Sequence, residues 1–314
     1  MRVLVTGATG FVGRTLVPLL VSRGHSVRAA VRRPDAVVPG AQTVAVGAIG
    51  PDTDWTAALD GVDAVVHLAA RVHVMKDTVA DPLAEFRAVN TAGTRRLAEA
   101  AAAQGVKRFV YLSSIKAVTD ESRPESIDDA TPPDPHSPYG VSKREAEQAL
   151  AGIAGLEPVV LRPPLVYGPG VAGNLRTLLK LCARRVPLPL AAVRNRRSLI
   201  FVGNLADAIA TCLTHPAAPG HRFVLHDGAP LSTADLIRAF SAGLGVAPRL
   251  FPLPPALLKL GAALTGRMAA YDRVAGSLEL DDRGIRETLG WSPPHPAASG
   301  LRATAEWFKA GGGQ

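Results

Sequence analysis

The sequence predicts an α/β chain: a doubly wound parallel sheet followed by a smaller C-terminal α/β domain. Three observations lead there. Short apolar, β-branched runs at residues 3–5, 27–31, 43–46, 64–67, 109–112 and 159–161 alternate with amphipathic helical patterns such as 83–103. Strands of this kind, buried on both faces, pair in parallel because each crossover helix covers a face of the sheet. Glycines at 7, 10 and 13 mark the first strand-to-helix turn. After about residue 166 the elements shorten and prolines gather at 187–189, 252–255 and 293–296, which is where the smaller domain begins. The runs 198–202 and 222–225 are strand-like and are expected to return to the first domain. The larger domain is therefore placed at 1–166 plus roughly 197–227, and the smaller at 167–196 and 228–314.

Composition narrows the class of protein. The 314 residues suffice for both domains without covalent staples. Cys182 and Cys212, the only cysteines, have no metal-like or redox-like spacing, so neither a disulfide nor a metal site is expected. Met1 runs directly into the strand-like 2–6, which argues against a signal peptide and for a cytoplasmic protein. The most apolar later stretch, 253–264, is interrupted by Pro254, Pro255, Lys259 and Gly261 and is shorter than the roughly 20 residues of a membrane span. It reads as a packed helix, leaving room only for peripheral membrane contact. A formal charge of +8 points to an anionic partner. The cations lie in short scattered clusters (Arg32 with Arg33, Lys107 with Arg108, Arg184 with Arg185, Arg194 to Arg197) and aromatics make up only 5% of the chain. A small phosphorylated ligand fits that pattern better than nucleic acid.

The turn Val3-Leu-Val-Thr-Gly7-Ala-Thr-Gly10-Phe-Val-Gly13 follows the first strand and opens the first helix. In that position the three glycines permit a tight turn, the close approach of a pyrophosphate, and the packing of helix on strand. The helix N-terminus adds free N–H groups and a positive dipole end. A Rossmann-type dinucleotide site is expected here. At the end of the second strand an acidic residue would bond the adenosine ribose, but Val31 is followed by Arg32 and Arg33, whose planar guanidiniums suit a 2′-phosphate. NADP(H) is favoured on that ground, with NAD(H) as the alternative if the two arginines face water.

Tyr139-Gly-Val-Ser-Lys143 lies in a helical pattern, and the i, i+4 spacing puts phenol and ammonium on one face. A nearby positive charge favours phenolate and so brings a tyrosine toward useful acid/base strength. Ser114, just past the strand 109–112, is positioned to hydrogen-bond the same substrate oxygen.

Together with Asn90 in Val89-Asn-Thr-Ala-Gly93-Thr, Ser113-Ser114, Leu161-Arg-Pro-Pro-Leu-Val-Tyr-Gly-Pro169 and Leu289-Gly-Trp291-Ser-Pro293, these motifs give a resemblance over nearly the whole length. The chain resembles an extended short-chain dehydrogenase/reductase of the nucleotide-sugar epimerase/dehydratase group. The resemblance implies that Ser114, Tyr139 and Lys143 are catalytic and that Lys143 also holds the nicotinamide ribose. It implies a cofactor shell of Gly7, Thr9, Gly10, Phe11, Val12 and Gly13 on the turn, Arg32 and Arg33, Leu68, Ala69 and Ala70 in His67-Leu-Ala-Ala70, Asn90, and Pro163. The third strand ends Val46-Gly47-Ala48, where such enzymes usually offer an aspartate to adenine. Substrate contacts are expected from Asn174 and Arg197, more loosely from Arg273, and from Arg71 and His73 in the loop near the crevice. A homodimer joined through the helices around 83–103 and 139–154 is also implied.

The resemblance narrows the reaction as well. A 4,6-dehydratase of this group carries an Asp-Glu pair directly after the catalytic Ser/Thr; here Ile115 and Lys116 occupy those places, so water elimination lacks its acid and base. A UDP-glucose or UDP-N-acetylglucosamine 4-epimerase and a 4-keto reductase remain. Arg32 and Arg33 tilt toward the reductase, since NADPH is an exchangeable reductant. Val66-His-Leu-Ala-Ala-Arg-Val-His-Val-Met75, Ser113-Ser-Ile-Lys116 and Asn195-Arg-Arg-Ser198 resemble proteins of O-antigen clusters, among them reductases that form UDP-N-acetylquinovosamine from its 4-keto-6-deoxy precursor. A non-catalytic dinucleotide-sensing regulator is a third reading, against which the intact Ser114, Tyr139 and Lys143 speak.

Overall fold

The computed structural model describes residues 1–72, 81–123 and 125–312. Its large sheet takes β1 (Arg2–Thr6), β2 (Ser26–Val31), β3 (Ala41–Ala45), β4 (Ala64–His67), β5 (Arg108–Leu112) and β6 (Glu157–Arg162). A two-stranded sheet follows from β7 (Leu165–Tyr167) and β8 (Leu199–Phe201), and β9 (Arg222–Val224) returns to the large one. The large sheet runs β3-β2-β1-β4-β5-β6-β9 and every pair is parallel, as expected. The direction of progression reverses between β1 and β4, and the carboxyl ends of those strands form the crevice where such sheets bind ligands.

Side chains alternate across the pleat and so feed two cores. Val3 and Val5 face α1 (Gly13–Ser22) and α7 (Val202–Thr214), burying Leu16, Leu20, Ile209 and Leu213. On the other face Leu4, Val65, Phe109 and Tyr111 meet the buried residues of α2 (Thr56–Leu59), α4 (Gly93–Ala103) and α5 (Pro138–Ala151), including Leu59, Leu97 and Leu150. A third cluster joins α6 (Gly173–Ala183), α8 (Thr233–Leu244) and α12 (Ala297–Trp307) around Tyr167, Leu179, Phe240 and Leu301. Three shorter helices, α9 (Pro255–Leu264), α10 (Met268–Ala275) and α11 (Arg283–Leu289), and a one-turn α3 (Pro82–Phe86) complete the chain. Among the described residues no helix is long and apolar enough to cross a membrane.

Of the two strand-like runs, Arg222–Val224 takes the edge beside β6, whereas Leu199–Phe201 pairs with Leu165–Tyr167 in the small sheet. Pro163 and Pro164 have no N–H to offer a ladder, so the chain leaves the large sheet there and β7 must find another partner. The stretch 253–264 forms a helix over Pro255–Leu264 that packs only lightly, through the half-buried Leu258 on the third cluster, and buries none of its residues fully.

A half-buried carboxylate joins the two sheets. Tyr167 donates to Asp227 Oδ2 at 2.5 Å, and Asp227 also accepts from Phe201 N at 2.8 Å and Asn204 Nδ2 at 2.7 Å. Burial raises the Asp227 pKa against the pull of these donors. Tyr167→Phe removes one donor from a desolvated acceptor and is expected to cost about 1–3 kcal/mol in urea unfolding, with the slope of the transition unchanged.

Candidate active site

The glycine turn is shaped by close approach. Gly7 adopts φ +68°, and a Cβ there would sit 2.8 Å from Ala69 N. A Cβ on Gly13 would fall on the Gly7 carbonyl and on Ala8, so α1 lies directly against the turn. Gly10 N bonds Gly7 O at 2.9 Å, and the helix starts at Val12 with no side-chain cap on its first amides. Thr9 holds Arg14 through its carbonyl at 2.9 Å, Phe11 packs on the third core cluster, and Ala69 N bonds Thr6 Oγ1 at 3.1 Å, which sets Leu68, Ala69 and Ala70 beside the glycines. Uncapped amides beside a side-chain-free surface fit a dinucleotide pyrophosphate. Past β2, Arg32 and Arg33 are both exposed, and Arg33 lies 3.6 Å from Asp35, a carboxylate close to the strand end where ribose recognition is expected.

Tyr139 is the second residue of α5. That helix is started by Ser137, whose Oγ caps Gly140 N at 3.0 Å, and Ser137 is itself held by Asp120, which accepts from its N and Oγ, each at 2.6 Å. Burial pushes the Tyr139 phenol up to about 12, opposed by the neighbouring Ser114 hydroxyl. One turn on, Lys143 is only 1% exposed; its Nζ donates to Leu112 O at 2.7 Å and lies 4.1 Å above the Tyr111 ring. Burial brings Lys143 down to about 7, opposed by Glu147. The lowering of the phenol that the sequence suggests is thus absent here. Desolvation dominates, and the ammonium is turned to a carbonyl and an aromatic face rather than to the phenol.

The neighbours are placed as follows. Phe86 stands edge-on to Tyr139 with centroids 6.0 Å apart, and Arg71 lies 5.4 Å over the Phe86 ring. Asn90, on a wide π-type turn at Arg87–Ala92, accepts from Arg71 N at 2.8 Å and donates to Arg71 O and Ser142 Oγ, each at 3.0 Å. Both of its Nδ2 protons are engaged, so it braces the Arg71 loop against α5. His73 lies outside the described residues. Ile115 N bonds the buried Pro163 O at 2.9 Å, fixing that carbonyl beside Ser114.

Two residues that the motifs did not flag hold this arrangement. Glu147, four residues past Lys143 on α5, receives Arg162 Nε at 3.1 Å and Nη2 at 2.6 Å, and Ser113 Oγ at 2.6 Å, all in the interior. The i, i+4 step from Lys143 was visible in the sequence; the partner across the sheet was not. Behind them His67 bonds Thr6 at 2.7 Å and Thr94 at 2.9 Å.

Three of the substrate candidates converge on a separate cavity. Asn174 on α6, Arg197 before β8 and Arg273 on α10 line one cavity of about 360 Å³, walled mainly by leucines such as Leu165, Leu178, Leu199, Leu231 and Leu236. Ser114, Tyr139 and Lys143 are not in its lining. Arg197 is anchored, with Nε on Gly276 O at 2.8 Å and Nη2 on Asp272 O at 3.1 Å, while Arg196 is drawn away to Glu279 at 2.7 Å.

Two outcomes follow from the buried polar groups. Glu147→Ala leaves Arg162 charged and unpaired in the core and is expected to cost about 3–5 kcal/mol in denaturant unfolding. His67 is held neutral, down to about 3, by burial and then by Lys143. An unfolded imidazole titrates near 6.5, so unfolding takes up a proton between those values, and stability falls as pH drops through that window. His67→Gln is expected to be less stable at neutral pH and to show a shallower loss of Tm from pH 6.5 to 4 than the parent chain.

With this geometry in place, comparison with known proteins identifies the class. The NAD dependent epimerase/dehydratase family matches residues 3–225. The chain is 40% identical over 318 residues to UDP-glucose 4-epimerase of Vibrio cholerae, covering 98% of this chain and 95% of that one. It is 32% identical over 312 residues to 3-diazoavenalumate denitrifying reductase of a Streptomyces species, covering 95% and 97%. The solved structure of MoeE5 in complex with UDP-glucuronic acid and NAD is similar with a TM-score of 0.78 and 25% identity, covering 99% of this chain and 100% of that one. An enzyme of the extended short-chain dehydrogenase/reductase type, this chain belongs to the NAD dependent epimerase/dehydratase family.

Proposed function

We propose that this enzyme transfers a hydride at carbon 4 of a UDP-linked hexose, working as a 4-keto reductase on an N-acetylated 4-keto-6-deoxy sugar in surface polysaccharide synthesis. The observation that carries the reading is Tyr139 beside Ser114 and one helical turn from a buried Lys143, together with a cavity where Asn174, Arg197 and Arg273 converge. The Vibrio cholerae relative and the MoeE5 complex support a UDP-sugar as the ligand.

In the reductive direction the Tyr139 phenol gives its proton to the sugar O4, and Ser114 Oγ donates a hydrogen bond that holds that oxygen in place. A phenol kept protonated up to about 12 suits a proton donor. Lys143, close to 7, is poised to return a proton to the phenolate side. A nicotinamide coenzyme bound on the Gly7 to Gly13 turn would supply or take the hydride, and Lys143 would hold its ribose. Arg197 and Arg273 bring positive charge, and Asn174 an amide at the start of α6, to a diphosphate. Ile115 is buried and Lys116 faces Asp120 at 3.6 Å, so neither replaces a dehydratase acid or base.

The coenzyme is proposed as NADP(H) on Arg32 and Arg33; the family description and the MoeE5 complex support NAD(H) as the alternative. The 40% identity to a UDP-glucose 4-epimerase favours 4-epimerisation as the second reading of the reaction. A cytoplasmic homodimer joined through 83–103 and 139–154 remains part of the proposal.

The decisive assay offers the protein NADPH or NADH with UDP-4-keto-6-deoxy-N-acetylglucosamine, and separately UDP-glucose or UDP-N-acetylglucosamine with oxidised coenzyme. The expected result is consumption of reduced coenzyme with the keto sugar, lowered about 10²–10⁴-fold by Tyr139→Phe. Interconversion of 4-epimers without net coenzyme change would replace the reductase by the epimerase, and no turnover with any of these sugars would overturn both.

A further inference from the structure

Helix α9 departs from the way the other long helices pack. It is apolar, yet it buries no residue, whereas α6, α8 and α12 bury three to seven each. Leu257, Leu260 and Leu264 are 54, 55 and 79% exposed, and their i, i+3, i+7 spacing sets them on one face. Ala256, Gly261 and Ala263 are exposed alongside them, and Phe251, 44% exposed, precedes the helix. Only Leu258 turns inward, onto the cluster that contains Leu188, Leu250 and Val274.

The charge of the segment that carries this face is of one sign. Between Asp235 and Asp272 the chain has four cations, Arg238, Arg249, Lys259 and Arg267, and no carboxylate. Arg238 is paired with Asp235 at 2.8 Å. The other three are exposed, and none is in an ion pair among the described residues. An exposed apolar stripe on a segment whose unpaired charges are all cations matches a bilayer interface that carries anionic headgroups. It matches a second copy of this chain poorly, because a two-fold contact brings a patch against itself and would gather the unpaired cations of two copies of this segment in one interface.

We infer that α9, with Phe251, is a docking face for the surface of an anionic lipid bilayer, the leucines entering the headgroup boundary and Arg249, Lys259 and Arg267 meeting lipid phosphates. The next helix, α10, carries Ala270, Arg273 and Val274 into the wall of the 360 Å³ cavity. Docking through α9 therefore sets that cavity next to the membrane surface. The inference stands on α9 alone and does not depend on which sugar the enzyme takes.

The experiment is co-sedimentation of the full chain with vesicles of equal parts phosphatidylglycerol and phosphatidylcholine, and with phosphatidylcholine alone. Binding to the anionic vesicles is expected, about tenfold or more tighter than to the neutral ones and weakened by added salt. Leu257→Glu with Leu260→Glu should reduce it by at least about tenfold while leaving coenzyme binding and Tm unchanged. Lys259→Glu with Arg267→Glu should remove the salt-sensitive part, and decides the matter if the leucine variant unfolds. A parent chain that stays in the supernatant with anionic vesicles, or variants that bind them as well as the parent, would overturn the inference. So would sedimentation velocity showing a dimer that the leucine variant turns into a monomer, since the face would then join two copies.

Discussion

Glu147 and Arg162 face each other through two hydrogen bonds in an interior that excludes water, and Ser113 adds a third on the same carboxylate. Those residues belong to α5, to the end of β6 and to the end of β5, the three segments that carry Lys143 with Tyr139, Pro163, and Ser114. A buried pair of this kind contributes little net stability, because desolvation offsets most of the attraction. Its effect is positional: neither charge can leave without stranding the other, so three chain segments that meet only in the folded state are held in one register.

Burial then sets the protonation of the site. The same absence of water that keeps Glu147 and Arg162 paired lowers Lys143 toward 7, lifts Tyr139 toward 12 and keeps His67 neutral. Desolvation is the first cause in all three cases, and specific neighbours act as corrections to it. The interior around Tyr111 is therefore polar without being highly charged, with the Lys143 ammonium on a carbonyl and a ring face.

Local pattern made much of this legible. The all-parallel sheet follows from apolar runs bounded by helices, the cradle from glycines placed at a strand-to-helix turn, and the phenol and ammonium from one helical step. What stayed hidden depends on partners distant in sequence. Arg162 lies fifteen residues past Glu147 and on another element, so nothing local marks them as a pair. Leu199–Phe201 has the composition of a sheet strand, and only the loss of N–H groups at Pro163 and Pro164 explains its pairing with β7. The helix over Pro255–Leu264 was visible from its residues, but whether its apolar face meets core or solvent is decided by which elements pack beside it. His67 reads as a strand end; its neutrality comes from burial and then from Lys143 on another element.

The central claim is that Tyr139 moves the proton while the hydride is exchanged at the sugar carbon. The most direct measurement is single-turnover transfer of deuterium between the coenzyme and carbon 4 of a UDP-hexose, in the parent chain and in Tyr139→Phe, with coenzyme affinity measured on both. The account predicts transfer in the parent, loss of about 10²–10⁴ in its rate in the variant, and an unchanged coenzyme Kd. Deuterium transfer that is as fast without the phenol, or that never involves carbon 4, would contradict it.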